Sequence, residues 1–165
     1  MKKILRTILA YAEEIVSAFF ISITVSMVIV NVFFRYVLNR GIFWSEEVAT
    51  ISFVWSVFIG AAACHKHKMH ISIDLFTRIV PGPLKKPVRM LTHLLMIVLN
   101  SYIVYLSVVF VRASSIKPTA VLGISSSYVS AAVLVGFALM TIHSTGFFID
   151  ELRGGSSAQT AEEVI

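Results

Sequence analysis

Charge is scarce in this sequence. Only 14% of its 165 residues are Asp, Glu, Lys or Arg, against about 25% in an average soluble domain. Those charges sit in short segments between long uncharged runs, so the water-facing surface of a soluble domain cannot be built, and an ordinary cytosolic enzyme is excluded. Cysteine is nearly absent: Cys64 alone cannot close an internal disulfide, so cysteine usage says nothing about redox compartment. No P-loop, G-x-S-x-G, H-E-x-x-H or C-x-x-C pattern occurs, which removes nucleotide hydrolysis and the common hydrolytic chemistries. Internal repeats are missing too, and with them the inverted halves of a complete secondary transporter. The net charge of +5 comes without a basic groove interleaved with aromatics, so nucleic acid is not its partner. Anionic lipid headgroups and the bias of Lys and Arg toward one face of a membrane account for it.

What is present is apolar sequence, 57% of the chain, with a mean hydropathy of +0.85. The bilayer is the natural solvent for such a chain, and its length accommodates four or five spans of about 20 residues with their connections. The fold class expected is all-α integral membrane, with spans near residues 15–37, 45–64, 89–111 and 127–149. Residues 1–150 are read as one four-helix membrane domain and 151–165 as a disordered tail. Lys2, Lys3 and Arg6 alternate with Ile4, Leu5, Ile8 and Leu9, the pattern of an amphipathic interfacial helix ahead of span 1. A second such helix is expected between spans 2 and 3, where Ile71, Leu75, Phe76 and Ile79 form one apolar face before Pro81. Span 2 is expected to start at Trp44 with Ser45 as N-cap and Glu46 and Glu47 in the first turn, where the helix dipole favours negative charge.

Four spans put both termini on one side. The N-terminal segment, the 65–89 connection and the tail carry most of the Lys and Arg, while only Arg35, Arg40, Arg112 and Lys117 lie in the other two connections. By the positive-inside rule the termini and the long connection are cytoplasmic. Tyr36, Trp44 and Tyr128 then mark the opposite interface, where aromatic anchors belong.

Polar residues inside the spans are the candidates for function. Ser56, Gly60 and Cys64 form a small-residue stripe at i+4 spacing that lets a neighbouring helix come close, and Ala132 and Gly136 offer the same on span 4. His93, Asn100 and Ser107 repeat every seven residues on one face of span 3, which should turn toward protein rather than lipid. None of the nine carboxylates lies deep in a span, since Glu46 and Glu47 sit in the first turn of span 2 and the other seven lie outside, so a self-sufficient proton-coupled carrier lacks its ionisable group at depth. His65, His67 and His70 lie close together, but the lysines between them oppose a bound cation and no acid or thiol completes a ligand set. His93 and His143 fall at similar depth on antiparallel spans, and two such imidazoles can ligate a haem iron. A haem b-binding electron-transfer subunit is therefore the alternative reading. Arg35, Arg40, Glu46 and Glu47 crowd around Tyr36 and Trp44 in the outer connection. They suit both snorkelling at a helix start and a docking surface for a soluble partner.

Phe34-Arg35-Tyr36-Val37-Leu38-Asn39, Trp44-Ser45-Glu46-Glu47 and the run from Val54 to Ala62 carry a resemblance to the small membrane subunit (DctQ-type) of tripartite ATP-independent periplasmic (TRAP) transporters. Lys68-Met69-His70-Ile71-Ser72-Ile73-Asp74, Pro81, and Leu122-Gly123-Ile124 with Tyr128 continue it. The resemblance implies a non-enzymatic scaffold subunit of a sodium-coupled importer of organic acids, sialic acid or C4-dicarboxylates, in a bacterial inner membrane. Its implied partners are a large permease subunit and a periplasmic substrate-binding protein. Sodium and substrate would bind the large subunit, and this chain would hold no cofactor or metal. Arg35, Tyr36, Trp44, Glu46 and Glu47 would lie on the periplasmic side, with Arg40 beside them, in reach of the binding protein. Lys66, Lys68, His70 and Asp74 would lie at the cytoplasmic surface.

Overall fold

The computed structural model describes residues 11–67 and 85–152. Four long helices account for nearly all of them: α1 (Ala12–Val37), α2 (Phe43–Lys66), α3 (Lys85–Ser114) and α4 (Ser127–Leu152). Each contains a stretch long and apolar enough to cross a membrane. The helices exceed the expected spans at several ends, because one extra turn at a membrane surface keeps backbone groups paired beyond the hydrocarbon. Thus α1 begins early enough to include Glu13 and Glu14, and α4 runs to Leu152. The interfacial helix expected ahead of span 1, most of the one expected between spans 2 and 3, and all but the first two residues of the expected tail lie outside the described residues; those two, Glu151 and Leu152, end α4.

The helices do not close into a bundle. α2 touches α1 on one side and α4 on the other, and α3 touches only α4, so the order across the molecule is α1, α2, α4, α3. No residue of α1 is buried, whereas α2 buries eight, most of them small. Such a row of helices leaves wide apolar faces open: Phe19, Val25, Ile29 and Phe33 on α1 and Leu95, Val98, Tyr102 and Tyr105 on α3 are all exposed.

The α1–α2 contact follows a seven-residue period on both helices. On α1 this seam runs through the less exposed Glu13, Ser17, Phe20, Thr24, Met27, Asn31 and Phe34, and on α2 through Ser45, Ala49, Ser52, Ser56, Ile59, Ala63 and Lys66. Steps of four and three residues keep a seam on one side of two antiparallel helices that cross at a shallow angle. In lipid there is no hydrophobic gain on bringing helices together, so close backbone approach and interhelical hydrogen bonds must hold the pair. Small side chains supply the first and hydroxyls the second. Ser17 Oγ donates to the Ser56 carbonyl at 3.0 Å while Ser56 Oγ donates to the Ser17 carbonyl at 3.1 Å. Thr24 Oγ1 lies 3.3 Å from the Ala49 carbonyl. Each such bond is worth about 0.6 kcal/mol on average in a membrane protein.

At the turn after α1, Asn39 takes a left-handed conformation (φ 50°), and the Arg40 amide returns to the Phe34 carbonyl at 3.2 Å. The expected cap at Ser45 is corrected. The helix starts two residues earlier with Ile42 before it, and no side chain of its own caps it. Ser45 is buried in the seam and its hydroxyl goes to the Ile42 carbonyl. Asn31 of α1 takes over instead, its Oδ1 accepting from the Ile42 amide at 3.2 Å. The neighbouring helix thus satisfies a backbone donor that a local cap satisfies elsewhere.

Candidate functional site

The side chains that carry polarity fall into three places: the helix seams, the end where α1 begins (the near end), and the end where α1 meets α2 (the far end). In the seams, the polar stripe and the small-residue stripe read from the sequence fare differently. Asn100 and Ser107 are buried, and the same seven-residue step continues to a buried Ser114, which accepts from Ser130 Oγ of α4 at 3.1 Å. His93 is half-buried with its ring 6.2 Å from Phe147. On α2, Ser56 is buried and Gly60 half-buried, but Cys64 is exposed. A strict i+4 step drifts off a 3.5-residue seam, so Ala63 rather than Cys64 continues the contact.

α4 packs on the other face of α2, through Trp55, Phe58, Ala62 and His65. Ala62 and Ala132 are fully buried. At Gly136 a Cβ would come 2.8 Å from Phe58 Cβ and 2.9 Å from its carbonyl oxygen, so only glycine permits this approach. The Trp55 indole donates to the Tyr128 carbonyl at 3.1 Å, which keeps its N–H paired inside the span.

The near end gathers groups that the sequence reading left apart. Glu14 pairs with Lys66 Nζ at 3.0 Å and with His67, and the His67 ring stacks with Tyr11. Its neighbour Glu13 accepts from Nε2 of His143 at 2.7 Å, although α1 and α4 make no backbone contact. His65 Nε2 lies 2.6 Å from Ser144 Oγ, both residues buried. Nothing here favours the haem reading: the Nε2 of His143 is held by Glu13, and the His93 ring lies against Phe147. Among the described residues no cluster of three or more potential metal ligands exists. Lys66 sits in the α1–α2 seam, while Lys68, His70 and Asp74 lie outside the described residues. Glu13 and Glu14 are the residues that sequence reasoning missed. Their signal was two acids opening span 1 on the same side as the basic His65–Lys68 string closing span 2.

At the far end, the six candidate contact residues divide. Glu47 turns inward: its Oε2 accepts the Val121 and Leu122 amides at 2.8 and 3.1 Å. It thereby pins the α3–α4 connection, a tight loop closed by the Thr119 amide on the Ile124 carbonyl at 2.7 Å and turned at Gly123 (φ 65°). Arg40, on the α1–α2 turn, and Trp44, in the first turn of α2, are exposed. Arg35, Tyr36 and Glu46 line a cleft of about 260 Å³ between α1 and α2. Asn31 Nδ2 reaches Glu46 Oε1 at 3.4 Å.

This arrangement offers packing surfaces and charged ends, and it matches one family over most of its length. The sequence model of the DctQ component of tripartite ATP-independent periplasmic transporters matches residues 24–154. A sialic acid TRAP transporter small permease protein of Vibrio cholerae is 25% identical over 84% of this chain and 80% of its own length. A protein of Haemophilus influenzae described as a TRAP transporter small permease is 27% identical over 75% of both chains. A third relative, a sialic acid TRAP transporter permease protein of Haemophilus influenzae, is 27% identical over 69% of this chain but only 18% of its own length. With four membrane-length helices, small-residue seams and a family match from span 1 through α4, the chain belongs to the DctQ component family of TRAP transporters.

Proposed function

We propose that this chain is the fixed scaffold subunit of a sodium-coupled importer of organic acids. It braces a large permease subunit so that the mobile part of that partner can move against an immobile frame. The observation that carries this reading is where the polar groups go. Within the spans, hydroxyls are used to hold helix to helix, and the described carboxylates lie at helix ends, near the starts of α1 and α2 and at the end of α4. A chain that carried its own ion or substrate would need an ionisable group or broken helix at depth. Sodium and substrate belong to the large subunit on this reading, and this chain needs no cofactor. The near end is cytoplasmic and the far end periplasmic, in a bacterial inner membrane. Arg35, Tyr36, Arg40, Trp44 and Glu46 then form the surface within reach of a periplasmic substrate-binding protein. Glu47 supports that surface from below by fixing the 117–126 loop.

The relative described as a sialic acid permease, of which this chain covers a fifth, supports a partner of that class. Sialic acid is the first substrate to test and a C4-dicarboxylate the second. Purification in mild detergent should bring down a multi-span permease in equal amount. Liposomes holding both subunits, supplied with the binding protein and a sodium gradient, should accumulate substrate, and liposomes holding this chain alone should not. Uptake by this chain alone would overturn the scaffold reading.

A further inference from the structure

The cleft at the far end has properties that helix packing does not use. It lies between α1 and α2 where both helices reach the membrane surface, and its polarity changes along its length. Met27, Val28 and Ala49 line its deeper part, and Arg35, Tyr36 and Glu46 line its mouth. From Val28 to Tyr36 is two turns of helix, a rise of about 12 Å, so the change from apolar to charged follows the membrane normal. Arg35 and Glu46 carry opposite charges in one cleft, yet among the described residues no ion pair joins them. Left open, two opposite charges at a membrane interface complement a ligand that carries both.

We propose that this cleft binds one zwitterionic phospholipid whose headgroup bears a primary ammonium. The Arg35 guanidinium takes the phosphate, for which its planar fork of donors is suited. The Glu46 carboxylate, steadied by Asn31, accepts from the ammonium, and the Tyr36 hydroxyl completes the rim. Acyl chains leave along Val28 and Val32, both exposed on the outer side of α1. The volume of about 260 Å³ falls below the roughly 300–1,000 Å³ of a site enclosing a drug-sized ligand. It therefore takes a headgroup and the first chain carbons rather than a whole lipid. A choline headgroup carries the same charge but has no N–H to give Glu46, and a purely anionic headgroup leaves Glu46 facing a like charge. The inference rests on the membrane topology and not on the scaffold role. A lipid seated here would present its headgroup within the same far-end surface proposed to meet the binding protein.

The test is native mass spectrometry of the full chain, purified in mild detergent with whatever membrane partner it retains. It is titrated with short-chain lipids bearing ethanolamine, choline or glycerol headgroups. One ethanolamine lipid per chain should be held about tenfold more tightly than the choline lipid, the difference one charge-assisted hydrogen bond makes. Glu46→Gln should abolish that preference, and Arg35→Gln should weaken both lipids. Val28→Trp, which fills the apolar part and leaves the charges alone, should remove the bound lipid. Circular dichroism of each variant identifies any that fails to fold, and Val28→Trp and Glu46→Gln test the site from opposite ends. Equal retention of all three lipids, or retention unchanged by these substitutions, would overturn the proposal. So would a lipid present on the isolated chain but displaced in the complex, since the cleft would then belong to the large subunit. If the lipid preference holds while no permease co-purifies, the scaffold reading fails and this one stands.

Discussion

The two ends of this molecule treat charge in opposite ways. At the near end, Glu13 closes on His143, and Glu14 on Lys66 and His67, drawing α1, α2 and α4 together with groups from three helices. At the far end, Glu47 is turned onto the chain itself, while Arg35, Arg40 and Glu46, the last touched by Asn31 at 3.4 Å, stand exposed around the α1–α2 turn. Both ends sit at a membrane surface, where a charge can remain hydrated, so solvation does not force the difference. The near end reads as a clamp on the helix row, and the far end as a surface held ready for something else.

The largest break should come from the packing between the two ends. Gly136→Leu places side-chain atoms where Phe58 backbone lies within 2.9 Å of the new Cβ, and prying α2 from α4 should cost about 3 kcal/mol, the upper end for overpacking. A lower midpoint for thermal unfolding in detergent would register it, along with poor recovery from the membrane.

Next is the near end. His143→Leu leaves the Glu13 carboxylate, only 16% exposed, without its partner, and stranding a buried acceptor costs about 1–3 kcal/mol. Replacing Glu13 with Gln in the same chain should restore part of the loss, and a double-mutant cycle between the two positions measures the coupling directly. Lys66→Met should cost less, about 0.5–1 kcal/mol, because its pair with Glu14 is partly hydrated. That loss should shrink as salt is raised. A near end indifferent to all three changes would mean that the clamp contributes nothing and that the two ends are alike.

How much of this was legible beforehand depends on the kind of signal. Span number follows from hydropathy and length alone, which is why the structure holds the four membrane-length helices expected. The seven-residue step through His93, Asn100 and Ser107 was visible because polar residues are rare in span 3. The same step runs through Ser17, Thr24 and Asn31 in span 1 and went unread, although it marks the α1 side of the hydroxyl contacts that join α1 to α2. The Cys64 position was misplaced because i+4 and 3.5-residue periods agree over two turns and separate over three. The Glu13–His143 pair was beyond reach: it joins helices whose backbones do not touch, and only the order α1, α2, α4, α3 brings them near. Glu47 was read as an outward charge because its position in the first turn suits either direction. Only the fold of the 117–126 loop decides that it faces inward.

That decision separates two far-end substitutions which, from the sequence, look equivalent. Arg40→Glu reverses an exposed charge on a turn that no helix packs over. It should change stability by less than about 0.5 kcal/mol and leave any membrane complex assembled, while lowering uptake most at low salt, where long-range attraction to the binding protein is strongest. Glu47→Lys removes the acceptor for two backbone amides and puts a cation against them. It should therefore loosen the loop, expose its amides to hydrogen exchange, and lower uptake at every salt concentration. Parallel uptake curves against salt for the two variants, with equal exchange at Val121 and Leu122, would erase the distinction between a charge that is offered and one that is used. A salt-dependent loss for Arg40→Glu alone would place the docking function on the α1–α2 turn and leave the α3–α4 loop as its support.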